Sequence, residues 1–105
     1  TAVAWATQSG GIYVSNQGEK PFFIDYGRDP KWHPEKKILL YAGAHRVGQK
    51  TSGFDLKISD LDGRKSWITA DSYANQRWPV WLTSQKKILF TKDKTTDLYV
   101  MDYEP

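Results

Sequence analysis

The chain repeats itself, and that repetition limits its fold more than any other feature. Arg28-Asp29-Pro30-Lys31-Trp32 is echoed 49 positions later by Arg77-Trp78-Pro79-Val80-Trp81. Each is followed by a basic doublet and an apolar run, Lys36-Lys37-Ile38-Leu39-Leu40-Tyr41 and Lys86-Lys87-Ile88-Leu89-Phe90-Thr91. A third element occurs three times, as Gly11-Ile12-Tyr13-Val14-Ser15-Asn16, Asp55-Leu56-Lys57-Ile58-Ser59-Asp60 and Asp97-Leu98-Tyr99-Val100-Met101-Asp102. Two copies continue through a glycine turn into an aromatic segment, Phe22 to Asp25 and Ser66 to Thr69. Several elements recurring in one order are the mark of a repeat architecture.

The elements are short, rich in β-branched and aromatic residues, and bounded by Gly, Pro, Asp or Asn, which predicts strands. Leu56-Lys57-Ile58-Ser59 alternates apolar and polar, and no segment sustains helical spacing. The aromatic content of 14% agrees, because rings pack well on a pleated surface. Four strands per repeat follow: a (Lys31-Trp32, Val80-Trp81), b (Val3 to Ala6, Ile38 to Tyr41, Ile88 to Thr91), c (the third element) and d (Phe22 to Asp25, Ser66 to Thr69). The expected fold is all-β, built from antiparallel four-stranded blades of a β-propeller.

Pro30-Lys31-Trp32-His33-Pro34-Glu35-Lys36-Lys37-Ile38-Leu39-Leu40 and Leu98-Tyr99-Val100-Met101-Asp102 resemble the WD40-like repeat of TolB-like β-propellers. The resemblance covers nearly the whole chain. It departs at the a–b turn, where His33-Pro34-Glu35-Lys36 and Leu82-Thr83-Ser84-Gln85 replace the usual Ser-Pro-Asp-Gly. The chain divides into a partial repeat (1–27), a full repeat (28–75) and a second partial repeat (76–105) of one propeller segment. That makes ten strands in groups of three, four and three, short of the four to eight blades of a closed ring. The segment is therefore a piece of a larger propeller, a unit that closes a ring with copies of itself, or a small three-sheet protein with open ends.

Composition removes several function classes. No cysteine is present, so thiolate metal sites, disulfides and cysteine nucleophiles are excluded. With two histidines, no metal site or cofactor is expected. The net charge of +3 comes from scattered basic residues interrupted by aspartates, which reads as a solvated surface and not a nucleic-acid face. No run reaches the roughly 18 apolar residues of a membrane span. Thr1 to Thr7 lacks an initiator Met and a basic n-region, so it does not read as an intact signal peptide. A periplasmic or extracellular setting is expected, with the cytoplasm left open.

No nucleophile elbow, phosphate-binding glycine loop or His-x-x-x-His pattern occurs, so the chain reads as non-catalytic. The resemblance implies that b–c and d–a loops gather on one face around the channel. Candidate binding residues on that face are Arg28, Asp29, Arg77, Gln76, Trp78 and Tyr73 from d–a segments. His45, Arg46 and Gln49 come from the b–c segment Ala42 to Gly53, which at twelve residues is long for a hairpin loop. Arg28 and Arg77 precede equivalent signatures, so either they meet an anion or each pairs with a carboxylate such as Asp29 to lock sheets together. Trp32 and Trp81 are expected in packing, as are Trp5 and Trp67, and His33 is expected to be exposed. The favoured function is a protein-binding or scaffold module. Its alternatives are the propeller part of a larger peptidase or polysaccharide-processing enzyme, and a carbohydrate-binding propeller. Partners are accordingly a protein, further blades, a glycan or a peptide.

Overall fold

A computed structural model describes residues 2–69, 75–92 and 97–105 of the chain. It is all-β, with nine strands and a single 3-10 turn among the described residues. They are β1 (Ala2–Ala6), β2 (Gly11–Asn16), β3 (Phe22–Trp32), β4 (Ile38–Val47), β5 (Lys50–Asp60), β6 (Lys65–Trp67), β7 (Gln76–Leu82), β8 (Lys87–Lys92) and β9 (Tyr99–Asp102). Strands β1 to β6 follow chain order in one sheet and β7 to β9 in another, and every named pair is antiparallel.

Nine strands replace the expected ten because strand d of the first repeat and strand a of the second are continuous. Residues Phe22 to Tyr26 of β3 pair with β2, and Gly27 to Trp32 pair with β4. The changeover falls at Gly27, the only residue type that fits there. A Cβ on Gly27 would lie 2.5 Å from the Ala42 carbonyl oxygen, 3.0 Å from Tyr41 Cδ2 and 3.1 Å from Ile12 Cδ1. The d–a connection that carries Arg28 and Asp29 is therefore strand and not a loop.

The segment Ala42 to Gly53, also expected as a loop, is the far end of the β4–β5 hairpin. Pairing runs out to Val47 opposite Lys50, leaving Gly48-Gln49 as a two-residue turn. Gly48 has φ +63, as the first position of a type II′ hairpin turn demands. Its small and polar residues carry no apolar alternation, so the strand signal is missing although backbone pairing persists. A bulge at His45/Arg46 interrupts the ladder, and Ser52 donates its hydroxyl to the His45 carbonyl at 3.2 Å.

The two strand-a copies superimpose in register. In β3–β4, Gly27, Arg28, Lys31 and Trp32 face Gly43, Ala42, Leu40 and Leu39. In β7–β8, Gln76, Arg77, Val80 and Trp81 face Lys92, Thr91, Leu89 and Ile88. Every equivalence is offset by 49. Matching the two Lys-Lys-Ile strings is thus one residue out of register: Leu39, not Ile38, stands where Ile88 does. Side chains alternate across a sheet, so that one residue decides which face each occupies. Both pairs are bulged at the same place, between Arg28 and Lys31 and between Arg77 and Val80. The residue before the proline is left-handed in each, Asp29 at φ 58 and Trp78 at φ 57.

Strand β4 is buried on both faces, which explains its unbroken apolar run. Leu39 and Tyr41 join Ile12, Val14 and Ile24 in one cluster, with Trp32 and the alanines of β1 packed against it. Leu40, on the other face, joins Leu56, Ile88 and Phe90, with Ile58, Trp81 and Met101 against them. Three layers therefore stack: β1–β2 with the first half of β3, then the second half of β3 with β4–β6, then β7–β9.

A polar group bridges the first two layers. Tyr41 donates its hydroxyl to Asp25 Oδ2 at 2.7 Å, and Lys57 Nζ lies 2.8 Å from the same oxygen. Burial pushes the Asp25 carboxyl up, but the hydrogen bonds and charge of Lys57 and Tyr41 outweigh it and leave Asp25 below its ordinary 3.8. Burial first, then the facing carboxylate, holds the Tyr41 phenol well above its ordinary 10.0. Asp25 thus adds stability that is full above its unfolded pKa and lost as pH falls through the lower folded value. Tyr41 adds stability that is full below pH 10 and declines above it, where only the unfolded chain ionises. Tyr41→Phe is expected to cost about 1 kcal/mol near neutrality for the lost hydrogen bond, and to flatten the decline above pH 10. Denaturation midpoints at pH 5, 8 and 10.5 check this; an unchanged alkaline slope in the variant rejects it.

Candidate functional site

The Trp32 and Trp81 indoles pack in the two clusters as expected. Trp81 Nε1 donates to the Lys31 carbonyl at 3.1 Å, tying β7 to β3. Trp5 and Trp67, expected to be packed, are partly exposed. Trp5 lies on the outer face of the first layer, and Trp67 stacks on His45. His33 is half-buried, its ring 4.7 Å from that of Trp81 and its Nδ1 accepting the Glu35 and Lys36 N–H groups.

The candidate binding residues separate into three groups. Arg77 and Asp29 form the first, and they are structural. Arg77 donates through Nε at 2.6 Å and Nη2 at 3.0 Å to the Asp29 carboxylate, which also accepts the Trp78 N–H at 3.0 Å. The left-handed turn at each bulge makes this possible by turning Asp29 toward β7. Trp78 itself is exposed, with the Arg77 guanidinium 5.0 Å from its ring.

His45 and Gln76 belong to a second, buried network. His45 Nε2 lies 2.6 Å from Asp55 Oδ2, and because a carboxylate only accepts, the imidazole N–H donates. Asp55 is fully buried. Thr69 stands 3.5 Å from Asp55 Oδ1, accepts the Leu56 N–H at 2.8 Å and donates to Gln76 Oε1. Gln76 is buried, and its amide oxygen ties β7 to Thr69 beyond β6. The imidazole lies 4.3 Å from the Trp67 ring at 10°, and Lys57 caps that indole at 4.3 Å. Asp55 and Thr69 are not among the residues that the sequence nominates, and Trp67 is nominated for packing alone. The signal available was position: Asp55 opens strand c, where the third copy has Asp97.

The third group lines an open cleft. Arg28 and Arg46, with Gln49, Ser52, Phe54 and Asn75, border a polar cleft of ≈ 370 Å³ at the β4–β5 hairpin end. Arg28 Nη1 donates to the Thr7 carbonyl at 3.1 Å, one of its five N–H donors. Arg46 lies 3.8 Å above the Tyr26 ring. Gly10 and Gly27 also line the cleft, tied to each other by the Gly27 N–H, which donates to the Gly10 carbonyl at 2.9 Å. Two guanidinium groups and no carboxylate border the cleft among the described residues, an arrangement suited to an anion. Tyr73 lies outside the described residues.

A second cleft, of ≈ 260 Å³, lies between the a–b turns, lined by His33, Trp81, Tyr103, Lys36, Lys86 and Lys87. Its lysines already have partners: Lys87 with Asp102, Lys86 with Glu104 at 3.6 Å and Lys36 with the Pro105 carbonyl at 2.9 Å. It is the weaker candidate for a charged ligand. No group of three metal-ligating side chains occurs among the described residues. No described helix is long and apolar enough to cross a membrane.

No protein-family model matches the chain, and no curated protein matches it.

Proposed function

We propose that the chain is a segment of a TolB-like β-propeller and serves as a non-catalytic protein-binding or scaffold module in a periplasmic or extracellular setting. The observation that carries this reading is the Arg28–Arg46 cleft. It runs from Ser9 and Gly10 of the first layer past the end of the β4–β5 hairpin, whose strands the His45–Asp55 pair links, to Asn75. The constant register between the two strand-a copies supports the blade reading. A guanidinium pair in a polar cleft favours a carboxylate-bearing peptide, since two forks can grip a carboxylate while Gln49, Ser52 and Asn75 border the same space.

Fluorescence anisotropy with acidic, neutral and basic ten-residue peptides tests the reading. Acidic peptides are expected to bind, more weakly as salt rises, and Arg28→Ala with Arg46→Ala is expected to weaken them at least tenfold. Equal binding of the three sets, or no loss in the double variant, overturns it. A second reading is carbohydrate binding, favoured by the exposed Trp78 ring, on which a sugar can stack. A glycan array whose signal falls with Trp78→Ala would decide for it.

A further inference from the structure

The cleft between the a–b turns joins two described layers, and both turns lie inside the sequence. His33 and Glu35 belong to the turn of the middle layer, and Thr83 and Ser84 to that of the last, with Trp81 near the end of β7. Its ≈ 260 Å³ falls below the roughly 300–1,000 Å³ of sites for drug-sized ligands, which leaves room for one small ring. Three side-chain rings meet there. The Trp81 indole lies 4.7 Å from the His33 ring at 72° and 6.3 Å from that of Tyr103 at 48°, so neither neighbour lies parallel to it.

Charge in the cleft cancels. Lys87 pairs with Asp102 and Lys86 with Glu104 at 3.6 Å, while Lys36 is the chain neighbour of Glu35. A charged ligand would therefore meet like charges as well as opposite ones. The polar capacity left over is of mixed kind. His33 Nδ1 accepts the Glu35 and Lys36 N–H groups, both at 3.1 Å, so the neutral imidazole carries its proton on Nε2 and donates there. The Glu35 carboxylate only accepts, whereas the Thr83 and Ser84 hydroxyls do both. None of these four groups is bonded to another described residue.

We propose that this cleft binds a single neutral pyranose ring, its C–H face against the Trp81 indole and its hydroxyls shared among His33, Glu35, Thr83 and Ser84. Each sugar hydroxyl donates and accepts, so a row of them matches a donor, an acceptor and two hydroxyls, and it adds no charge to a balanced site. The cleft shares no residue with the one that Arg28 and Arg46 border, and Trp78 does not line it. It is a site additional to both readings under Proposed function.

Proton–nitrogen NMR of the 105-residue chain, titrated with glucose, galactose and N-acetylglucosamine, tests this. The Trp81 indole N–H resonance is expected to move with at least one of them, at a dissociation constant on the order of 1 mM for so small a ligand. Glu35→Ala combined with Ser84→Ala alters two exposed side chains. It is expected to weaken binding at least tenfold and to leave the melting temperature unchanged. Glucuronate and glucosamine, which add a negative and a positive charge, are expected to bind more weakly than the neutral sugars. No movement with any neutral sugar overturns the proposal, as does a double variant that binds like the wild type. A charged sugar that binds more tightly than every neutral one overturns it too. So does loss of the shift in Trp78→Ala with the double variant unaffected, which places the sugar on the Trp78 surface instead. Acidic-peptide binding at the Arg28–Arg46 cleft is measured separately, so the two readings fail separately.

Discussion

Gly27→Ala is expected to be the most damaging small substitution in the chain. The glycine does not serve a left-handed turn, as Gly10, Gly18, Gly48 and Gly63 do. It serves a close approach, where β3 leaves β2 and meets β4. An added Cβ would stand 2.5 Å from the Ala42 carbonyl oxygen, and a paired backbone cannot step aside as a side chain can. Forcing the two strands apart also loosens Ile12 against Tyr41, both fully buried. Overpacking of this kind costs about 3 kcal/mol and sometimes more, against a total of roughly 5–15 kcal/mol for a domain of this size. The melting temperature is expected to fall by more than about 10 °C.

Gly43→Ala is the matched control. Its Cβ would meet Lys57 Cδ and Trp67 Cζ3 at 2.9 Å and Lys57 Cβ at 3.0 Å, side-chain atoms and no backbone carbonyl. A milder loss of about 1–2 kcal/mol is expected there. Calorimetry on both variants decides the matter; a Gly27→Ala protein melting within 2 °C of wild type would show that β3 does not pass so close to β4.

The second large effect is expected from the Arg77–Asp29 pair. The Asp29 side chain is 5% exposed and that of Arg77 28%, so the carboxylate sits in a drier place than its partner. Arg77→Ala leaves Asp29 with the Trp78 N–H and no countercharge. Breaking a buried pair by removing one partner costs roughly 3–5 kcal/mol, and the part-open guanidinium places the expectation at the lower end, about 3 kcal/mol. Asp29→Asn combined with Arg77→Leu is expected to recover at least 1 kcal/mol of that loss, because the stranded charge is gone. Asparagine also tolerates the left-handed φ of 58 at this position. Chemical denaturation of wild type, Arg77→Leu, Asp29→Asn and their combination closes a double-mutant cycle that measures the coupling, with Arg77→Ala run beside them. A cost for Arg77→Ala below about 0.5 kcal/mol would mark an ordinary solvated pair.

The candidate site was legible only in part. Arg28, Arg46 and Gln49 flank a repeat signature or lie in a long segment, and they share one cleft. His45 came from that same segment but faces inward to Asp55, since the segment is paired strand and its side chains alternate between cleft and sheet. Gln76 and Arg77 hold positions equivalent to Gly27 and Arg28, yet Gln76 is buried and Arg77 binds Asp29. A sequence shows residue types at a spacing, whereas a carboxylate brought within 3 Å across 48 positions appears only once the layers are stacked.

By itself the sequence determined the all-β class, the antiparallel order within each repeat and the equivalence of Trp32 with Trp81. These depend on local alternation, turn residues and repetition, which chain neighbours settle among themselves. Tertiary structure decided the one-residue correction that sets Leu39 against Ile88, the fusion of two strands at Gly27 and the paired Ala42–Gly53 hairpin. It also decided which arginine binds a carboxylate and which lines a cleft. Each of those depends on contact between layers, where burying one face fixes the register and no run of neighbours carries the information.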